Sequence, residues 1–389
     1  MVPKNLNIMK TEQLIFKSTD NGVIKEIKNF SFSPDLLLFF GSPTILKNSG
    51  VIEHFRKEYP KSIINGCSTA GEIGDVNVYD NTLIATAVEF SSSTIIYNSI
   101  HIDVVEESRT AGKELIQKFD FNGLKHIFVL SDGLNVNGSE LVAGIREALP
   151  RKVNVTGGLA GDGADFNNTY VIGNQNLVQS KIVTALGFYG DNIKISYGSL
   201  GGWDSFGIER QVTKAEANVL YEIDNMPALE LYESFLGDKA KDLPASGLLF
   251  PLSLRTSADE EPVVRTILAI DRDAQSLTFA GDLPEGSSVK FMKANVDRLI
   301  DGAEAAANAS VKPLERKDVE FAILISCVGR KLVLKQIVEE EVEAVKDVFG
   351  EQVTLTGFYS YGEIAPFLKD AVCELHNQTM TITTFSESE

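Results

Sequence analysis

Leu36-Leu37-Leu38-Phe39-Phe40 is an unbroken apolar run, the pattern of a buried strand. Pro43 then opens a segment with Ile45, Leu46, Val51, Ile52 and Phe55 at near-helical spacing, ending around Tyr59-Pro60. Ile63-Ile64 follows, then the turn-rich Gly66-Cys67-Ser68-Thr69-Ala70-Gly71-Glu72-Ile73-Gly74 and a strand-like stretch from Thr82 to Phe90. That order recurs. His126 to Leu130 predicts a strand, and Ser139 to Leu149 a helix with Leu141, Val142, Ile145 and Leu149 on one face. Val153 to Thr156 leads into Gly157-Gly158-Leu159-Ala160-Gly161-Asp162-Gly163, and Ile182 to Phe188 reads as the closing strand. A third copy begins at Phe321-Ala322-Ile323-Leu324-Ile325 and continues through a helix from Leu334 to Phe349. Val353 to Thr356 then enters Gly357-Phe358-Tyr359-Ser360-Tyr361-Gly362-Glu363-Ile364, and Thr379 to Phe385 closes the copy.

Strand, helix, strand, glycine loop, strand is an α/β unit with a crossover helix. The first and third loops share Gly71-Glu72-Ile73 and Gly362-Glu363-Ile364, which points to duplication; the spacing is too long and irregular for a solenoid. Between the second and third copies the texture changes. Gln211 to Thr213, Val219 to Ile223, Leu248 to Leu254, Val263 to Ile270 and Ser276 to Ala280 read as strands separated by turns. Pro227 to Leu236 and Ala294 to Ala309 read as helices. The expected fold class is α/β with an α+β middle: two closely packed domains built on duplicated strand-helix-strand units with glycine-rich loops. The division falls near residue 221. It gives an N-terminal domain at 28–221 holding two repeats and a C-terminal domain at 222–389 holding the hairpin-rich insert and the third.

Composition narrows the function classes. With 389 residues, 43% hydrophobic and 23% charged, the chain is neither collagenous, disordered nor coiled-coil. Its 36 Lys+Arg against 54 Asp+Glu give a net charge of -18, which repels phosphate backbones and anionic lipid. No nucleic-acid partner and no membrane insertion are expected. No window approaches the roughly 18–20 apolar residues of a membrane helix, and MVPKNLNIMKTEQLIFK lacks the apolar run of a secretory signal. Cys67, Cys327 and Cys373 form an odd, sparse set without CxxC, against a disulfide framework or structural zinc. A cytoplasmic address is the expectation.

The loops hold the candidate chemistry. Gly158-Leu159-Ala160-Gly161-Asp162-Gly163 resembles a nucleotide loop superficially, but no helical period follows it and it carries carboxylates where a phosphate would sit. Asp132 ends a buried strand in Ser131-Asp132-Gly133, placed either for ligand recognition or for an ordinary Asp-Gly turn. Cys67-Ser68-Thr69 lacks GxSxG, and no histidine pairs recognisably with a serine or cysteine. Glu72 and Glu363 occupy matching places in two repeats, so they either face one cavity or bond backbone N–H groups of their own loops. An enzyme would use them as an acid/base pair. Arg330 could clamp a carboxylate or pair with the acidic run Glu339 to Glu343. His376, just before the last strand, is open to two readings, a loop hydrogen bond or an axial haem ligand, non-covalent because CxxCH is absent.

Taken together, these segments resemble the FIST family of intracellular signal-transduction proteins. The carriers are the Gly66 to Glu72 loop, Ser131-Asp132-Gly133, Thr156 to Asp162, Val212-Thr213 to Tyr232, Val264-Arg265, Ser326-Cys327-Val328-Gly329-Arg330, Gly357 to Ile364 and His376-Asn377-Gln378-Thr379. The resemblance implies a sensory module for a small-molecule ligand, an amino acid or related metabolite, acting on a separately encoded kinase or cyclase. It also implies, as an alternative, a nitric-oxide sensor with haem held at His376. The expected ligand site lies at the glycine loops between the two halves, with polar contacts from Glu72, Asp132, Asp162, Arg330, Tyr361 and Glu363.

Overall fold

Each apolar run becomes a strand covered on both faces, and that double covering sets the architecture. The computed structural model describes residues 9–17, 24, 26–173, 177–257, 262–312, 319–366 and 373–387. The first unit comprises β1 (Lys10–Lys17), β2 (Leu36–Gly41), α1 (Pro43–Asn48), α2 (Val51–Glu58), β3 (Ile63–Ser68), β4 (Glu72–Gly74), β5 (Asn77–Tyr79) and β6 (Thr82–Glu89). The second comprises β7 (Thr94–His101), α3 (Ser108–Gln117), β8 (Leu124–Ser131), α4 (Gly138–Ala148), β9 (Asn154–Leu159), β10 (Val171–Ile172), β11 (Val178–Gln179) and β12 (Ile182–Tyr189). The third starts with β13 (Ile193–Leu200) and is then interrupted. The insert holds β14 (Asp204–Glu216), β15 (Val219–Ile223), β16 (Met226–Pro227), α5 (Ala228–Leu236), β17 (Leu252–Arg255), β18 (Val263–Arg265), β19 (Ile267–Asp271), β20 (Ser276–Phe279) and β21 (Ser288–Lys293). The unit resumes with α6 (Val296–Val311), β22 (Phe321–Cys327), α7 (Val328–Leu334), α8 (Glu339–Phe349), β23 (Thr354–Ser360), β24 (Gly362–Pro366), β25 (Cys373–His376) and β26 (Met380–Glu387).

The three units build three six-stranded sheets of one design. In each, two parallel strands joined by the crossover helices (β2/β3, β8/β9, β22/β23) lie beside an antiparallel closing strand (β6, β12, β26) and an edge strand (β1, β7, β13). The fifth and sixth strands of each sheet are exchanged cyclically. The hairpin β4–β5 of the first unit completes the third sheet, β10–β11 of the second completes the first, and β24–β25 of the third completes the second. Phe128 and Leu130 of β8 point into a core shared by all three sheets with Leu38, Phe40, Ile323, Ile325 and Phe358. The alternate residues Ile127 and Val129 pack outward with Leu141 and Ile145 of α4. A ring of buried hydroxyls repeats the exchange: Thr86 bonds Thr356 at 2.9 Å, Thr184 bonds Asn65 at 2.9 Å and Thr383 bonds Thr156 at 2.7 Å.

Glycine sits at one equivalent place per unit because a neighbouring carbonyl fills the space. A Cβ on Gly66, Gly157 or Gly357 would lie 2.0, 1.9 or 1.8 Å from the carbonyl oxygen of Phe39, Val129 or Leu324. The same crowding joins α3 to α4, where a Cβ on Gly144 would lie 1.8 Å from the Arg109 carbonyl oxygen. Gly144→Val should force the helices apart and cost about 1–3 kcal/mol, read as a lower urea midpoint.

The insert is a separate sheet in the order β18-β17-β21-β14-β15-β20-β19, and Thr266 alone separates its two edge strands. The sheet must therefore curl until its edges meet. Leu229, Tyr232 and Leu236 of α5 join Leu220, Leu252, Phe279 and Phe291 in the insert's own core. The structure shows mixed α/β architecture with the expected duplicated units. It differs in detail. The expected helix from 334 to 349 is broken at Lys335, which stands at φ 52°, and the expected strand from 263 to 270 divides at Thr266 where the chain crosses between sheet edges. No helix among the described residues is long and apolar enough to cross a membrane.

Candidate functional site

The three glycine-cornered bends converge. Ala70 N donates to Tyr359 O at 2.8 Å, Gly161 N to Ser68 O at 2.9 Å and Tyr361 N to Leu159 O at 3.1 Å, one bond from each unit to the next. Backbone hydrogen bonds thus close their meeting point, and the recess opens to one side. It has a volume of about 510 Å³ and lies outside the carboxyl ends of β8 and β9, the ligand side of a parallel sheet. Its repeat wall includes Gly133, Leu134, Leu159, Phe166 and Tyr361; its insert wall includes Ala217, Asn218, Leu268, Ala280 and Gly281. Glu106, Asn137 and Glu140 add two carboxylates and an amide to an otherwise mainly apolar lining.

Two buried aspartates shape the repeat wall. Asp132 Oδ1 accepts from Leu134 N at 2.8 Å, Asn135 N at 3.0 Å and Thr169 Oγ1 at 2.6 Å, while Oδ2 accepts from Lys181 N at 2.5 Å. Asp162 Oδ1 accepts from Phe166 N at 3.0 Å, and its Oδ2 from Asn167 N and Asn168 N at 2.8 and 2.7 Å. The Tyr361 hydroxyl donates to Asp162 as well, and burial followed by that carboxylate pushes the phenol far above its ordinary range. Phe166 stacks on Tyr361 with ring centroids 4.5 Å apart and holds φ at 52°, a costly angle for a bulky residue. Asn137 caps α4 by accepting from Glu140 N at 3.1 Å and donates to Asp282 of the insert at 3.2 Å, so one residue fixes the helix and docks the insert.

Of the six residues singled out in the sequence, Tyr361 lines the recess and Asp132 and Asp162 hold its wall from behind. Glu72, Glu363 and Arg330 lie elsewhere. Glu72 Oε2 accepts from Thr82 N and Oγ1 at 3.1 and 2.7 Å, and Oε1 lies 2.5 Å from Thr69 Oγ1. Glu363 repeats this with Thr379 N and Oγ1 at 3.1 and 3.0 Å and Ser360 Oγ at 2.5 Å. Burial raises the two carboxyls to about 7 and about 8, and the hydroxyl and amide donors hold them back in part. Each glutamate ties its own loop to the start of its closing strand, after a residue of left-handed φ: Asn81 at 56° and Gln378 at 65°.

Arg330 is fully buried and bonds Glu341 Oε2 through Nη2 at 2.7 Å and Nε at 3.0 Å. It also donates to Gly201 O, and to Leu299 O at 2.8 Å. Arg265 is buried too. It spans the insert and β25 through Asp282 O and Leu375 O, both at 3.1 Å, and burial lowers it to about 10. His376 is 1% exposed and its Nε2 donates to Ala365 O at 2.9 Å, which fixes that nitrogen as protonated. Burial lowers its pKa to about 4. His376 lines none of the described recesses, so none of them could seat a haem against its ring. Among the described residues no group of histidine, cysteine and carboxylate side chains could hold a metal.

The insert wall carries no signal in the sequence. Ala217, Asn218, Ala280 and Gly281 lie at turns and strand ends, and only docking through Asn137, Ser139 and Asp282 brings them to the loops. Phe166 is hidden in the polar stretch Ala164 to Thr169.

Residues 35–226 match the FIST N domain and residues 228–366 the FIST C domain. An uncharacterized protein of Methanocaldococcus jannaschii is 24% identical over 407 aligned positions, which cover 94% of this chain and 76% of that one. Solved structures of a chorismatase and of a cyanuric acid hydrolase from A. caulinodans align over 98% of this chain and all of theirs. Their identities are 8% and 6% and their TM-scores 0.34 and 0.39, too low to guide the reading of the site.

Proposed function

Because the chain belongs to the FIST family, we propose that it is a cytoplasmic sensor that binds a small metabolite with an amino group, such as an amino acid, in the recess between repeats and insert. FIST domains are associated with signal transduction and small-ligand sensing. The observation that carries the reading is the recess itself: both family domains wall it, an aromatic pair forms one side, and Glu106 and Glu140 supply negative charge. A protonated amine meets those carboxylates, and an aliphatic or aromatic side chain meets Leu134, Phe166 and Tyr361. A ligand touching both walls favours the arrangement in which the insert closes on the loops, and only its stronger contact with that arrangement shifts the population. The reading includes a separately encoded kinase or cyclase that responds to the closed form.

A thermal-shift screen of amino acids and simple amines tests it. At about 100 times its Kd the ligand adds about 2.7 kcal/mol of stability. Ala280→Trp, which fills the recess from the insert side, should abolish that increment while leaving the resting melting temperature in place. Stabilisation by no compound in the screen, or an undiminished increment in Ala280→Trp, would reject this site.

A further inference from the structure

Beyond Phe166 and Leu268, which line both spaces, the cleft changes character. A trough of about 460 Å³ runs between the insert and α7, lined by Phe166, Leu243, Leu248, Leu249, Ile267 and Leu332 among others. Asp242 is the single ionisable group on its wall. At Leu249 and Leu332 the trough meets a second recess of about 380 Å³, with an apolar floor of Phe250, Ala294 and Val333. The charged groups there are Lys239, Lys293 and Lys335. None of the three has a carboxylate partner among the described residues, although the chain carries 18 more negative than positive charges. Lys239 Nζ stands 5.5 Å over the Phe250 ring, its stem along the apolar floor.

An apolar trough that ends among three uncompensated ammonium groups is complementary to a molecule with a tail and a negative head. We propose that this composite groove binds a single-chain amphiphile with an anionic head, a medium-chain carboxylate, with its tail in the trough and its head among Lys239, Lys293 and Lys335. Asp242 sets the direction, because it repels the head from the trough and leaves the lysine end as its only favourable place. The tail gains by leaving water. The head gains from three exposed charges, each worth a fraction of a kcal/mol and additive where they converge. The site is distinct from the amine-binding recess, since Ala280, Glu106 and Glu140 do not line it.

Titration calorimetry on the full chain with decanoate, decanol and acetate tests the assignment, with decanoate kept below its micelle concentration and decanol below its solubility limit. Decanoate should bind, decanol more weakly, and acetate not measurably. Reversing the three charges (Lys239→Glu, Lys293→Glu, Lys335→Glu) should weaken decanoate about tenfold or more and leave decanol unchanged. Leu332→Trp should obstruct both. An unshifted melting temperature shows that each variant is folded, and response to amines in the Ala280 recess reports that separate site. Equal affinity for decanoate and decanol, no binding of decanoate, or undiminished binding after charge reversal would overturn the assignment.

Discussion

Arg330→Ala should lower the free energy of unfolding by about 3–5 kcal/mol, the cost of leaving a buried charge without its partner. The stranded group is Glu341, which has no solvent exposure and also accepts from Ser326 Oγ at 2.9 Å and Tyr359 OH at 2.7 Å. More than one ion pair is at stake. Gly201 is where the chain leaves the third unit for the insert, and Leu299 lies on α6, where it returns. The guanidinium therefore clamps both ends of the insert to α7 and, through Glu341, to α8. Lysine at this position keeps the charge but not the planar fork, so Arg330→Lys should recover little. Arg330→Met with Glu341→Gln removes both charges and retains an acceptor for Ser326 and Tyr359. It should sit closer to the wild type than either single variant does. Urea unfolding followed by circular dichroism measures all three. A single alanine variant within about 0.5 kcal/mol of wild type, the range of an ordinary surface change, would mean that the pair does not carry the junction.

The insert also marks where the sequence stops being informative. β2, β8 and β22 are legible because burial on both faces makes them continuous apolar runs, with no need to know what covers them. β1, β7 and β13 escape notice, since an edge strand such as Thr94–His101 is largely half-buried and mixes apolar with polar residues. The repeat is legible from Gly71-Glu72-Ile73 and Gly362-Glu363-Ile364, yet the exchange of hairpins between sheets is not. Each of those strands pairs with a different copy, and nothing local encodes which one. Arg330 shows the same limit at a single residue. Its two readings, ligand clamp or partner of the Glu339 to Glu343 run, differ only in where α8 packs. Tyr361 is legible as a polar aromatic in a bend, whereas the insert residues facing it depend on docking through Asn137 and Asp282.

Between pH 6.5 and 8 the wild-type protein should lose on the order of 2 kcal/mol of stability, and Glu72→Gln with Glu363→Gln should flatten that slope. The sign follows from burial. In the folded chain the two carboxyls titrate near 7 and 8; in the unfolded chain they titrate near 4.5. Folding therefore holds their protons to higher pH. Their contribution to stability is full below about 4.5 and disappears as pH rises through 7 and 8. His126 and His376 act oppositely. Burial lowers them to about 3 and about 4, so their contribution is present above 6.5 and fades as pH falls below it. The two effects oppose each other between 4.5 and 6.5, which places the optimum there and leaves 6.5 to 8 to the glutamates. Glutamine is neutral throughout, and its amide oxygen can still accept from Thr82 or Thr379 N while its NH2 faces Thr69 or Ser360. The double glutamine variant should thus exceed the wild type at pH 8, by a margin that shrinks as pH falls toward 4.5. Alanine at the same positions should be less stable at every pH, because each loop loses the side chain that ties it to its closing strand. Melting temperatures at half-unit steps from pH 5 to 8.5 resolve the comparison. A slope in the double glutamine variant as steep as that of the wild type would locate the titrating groups elsewhere.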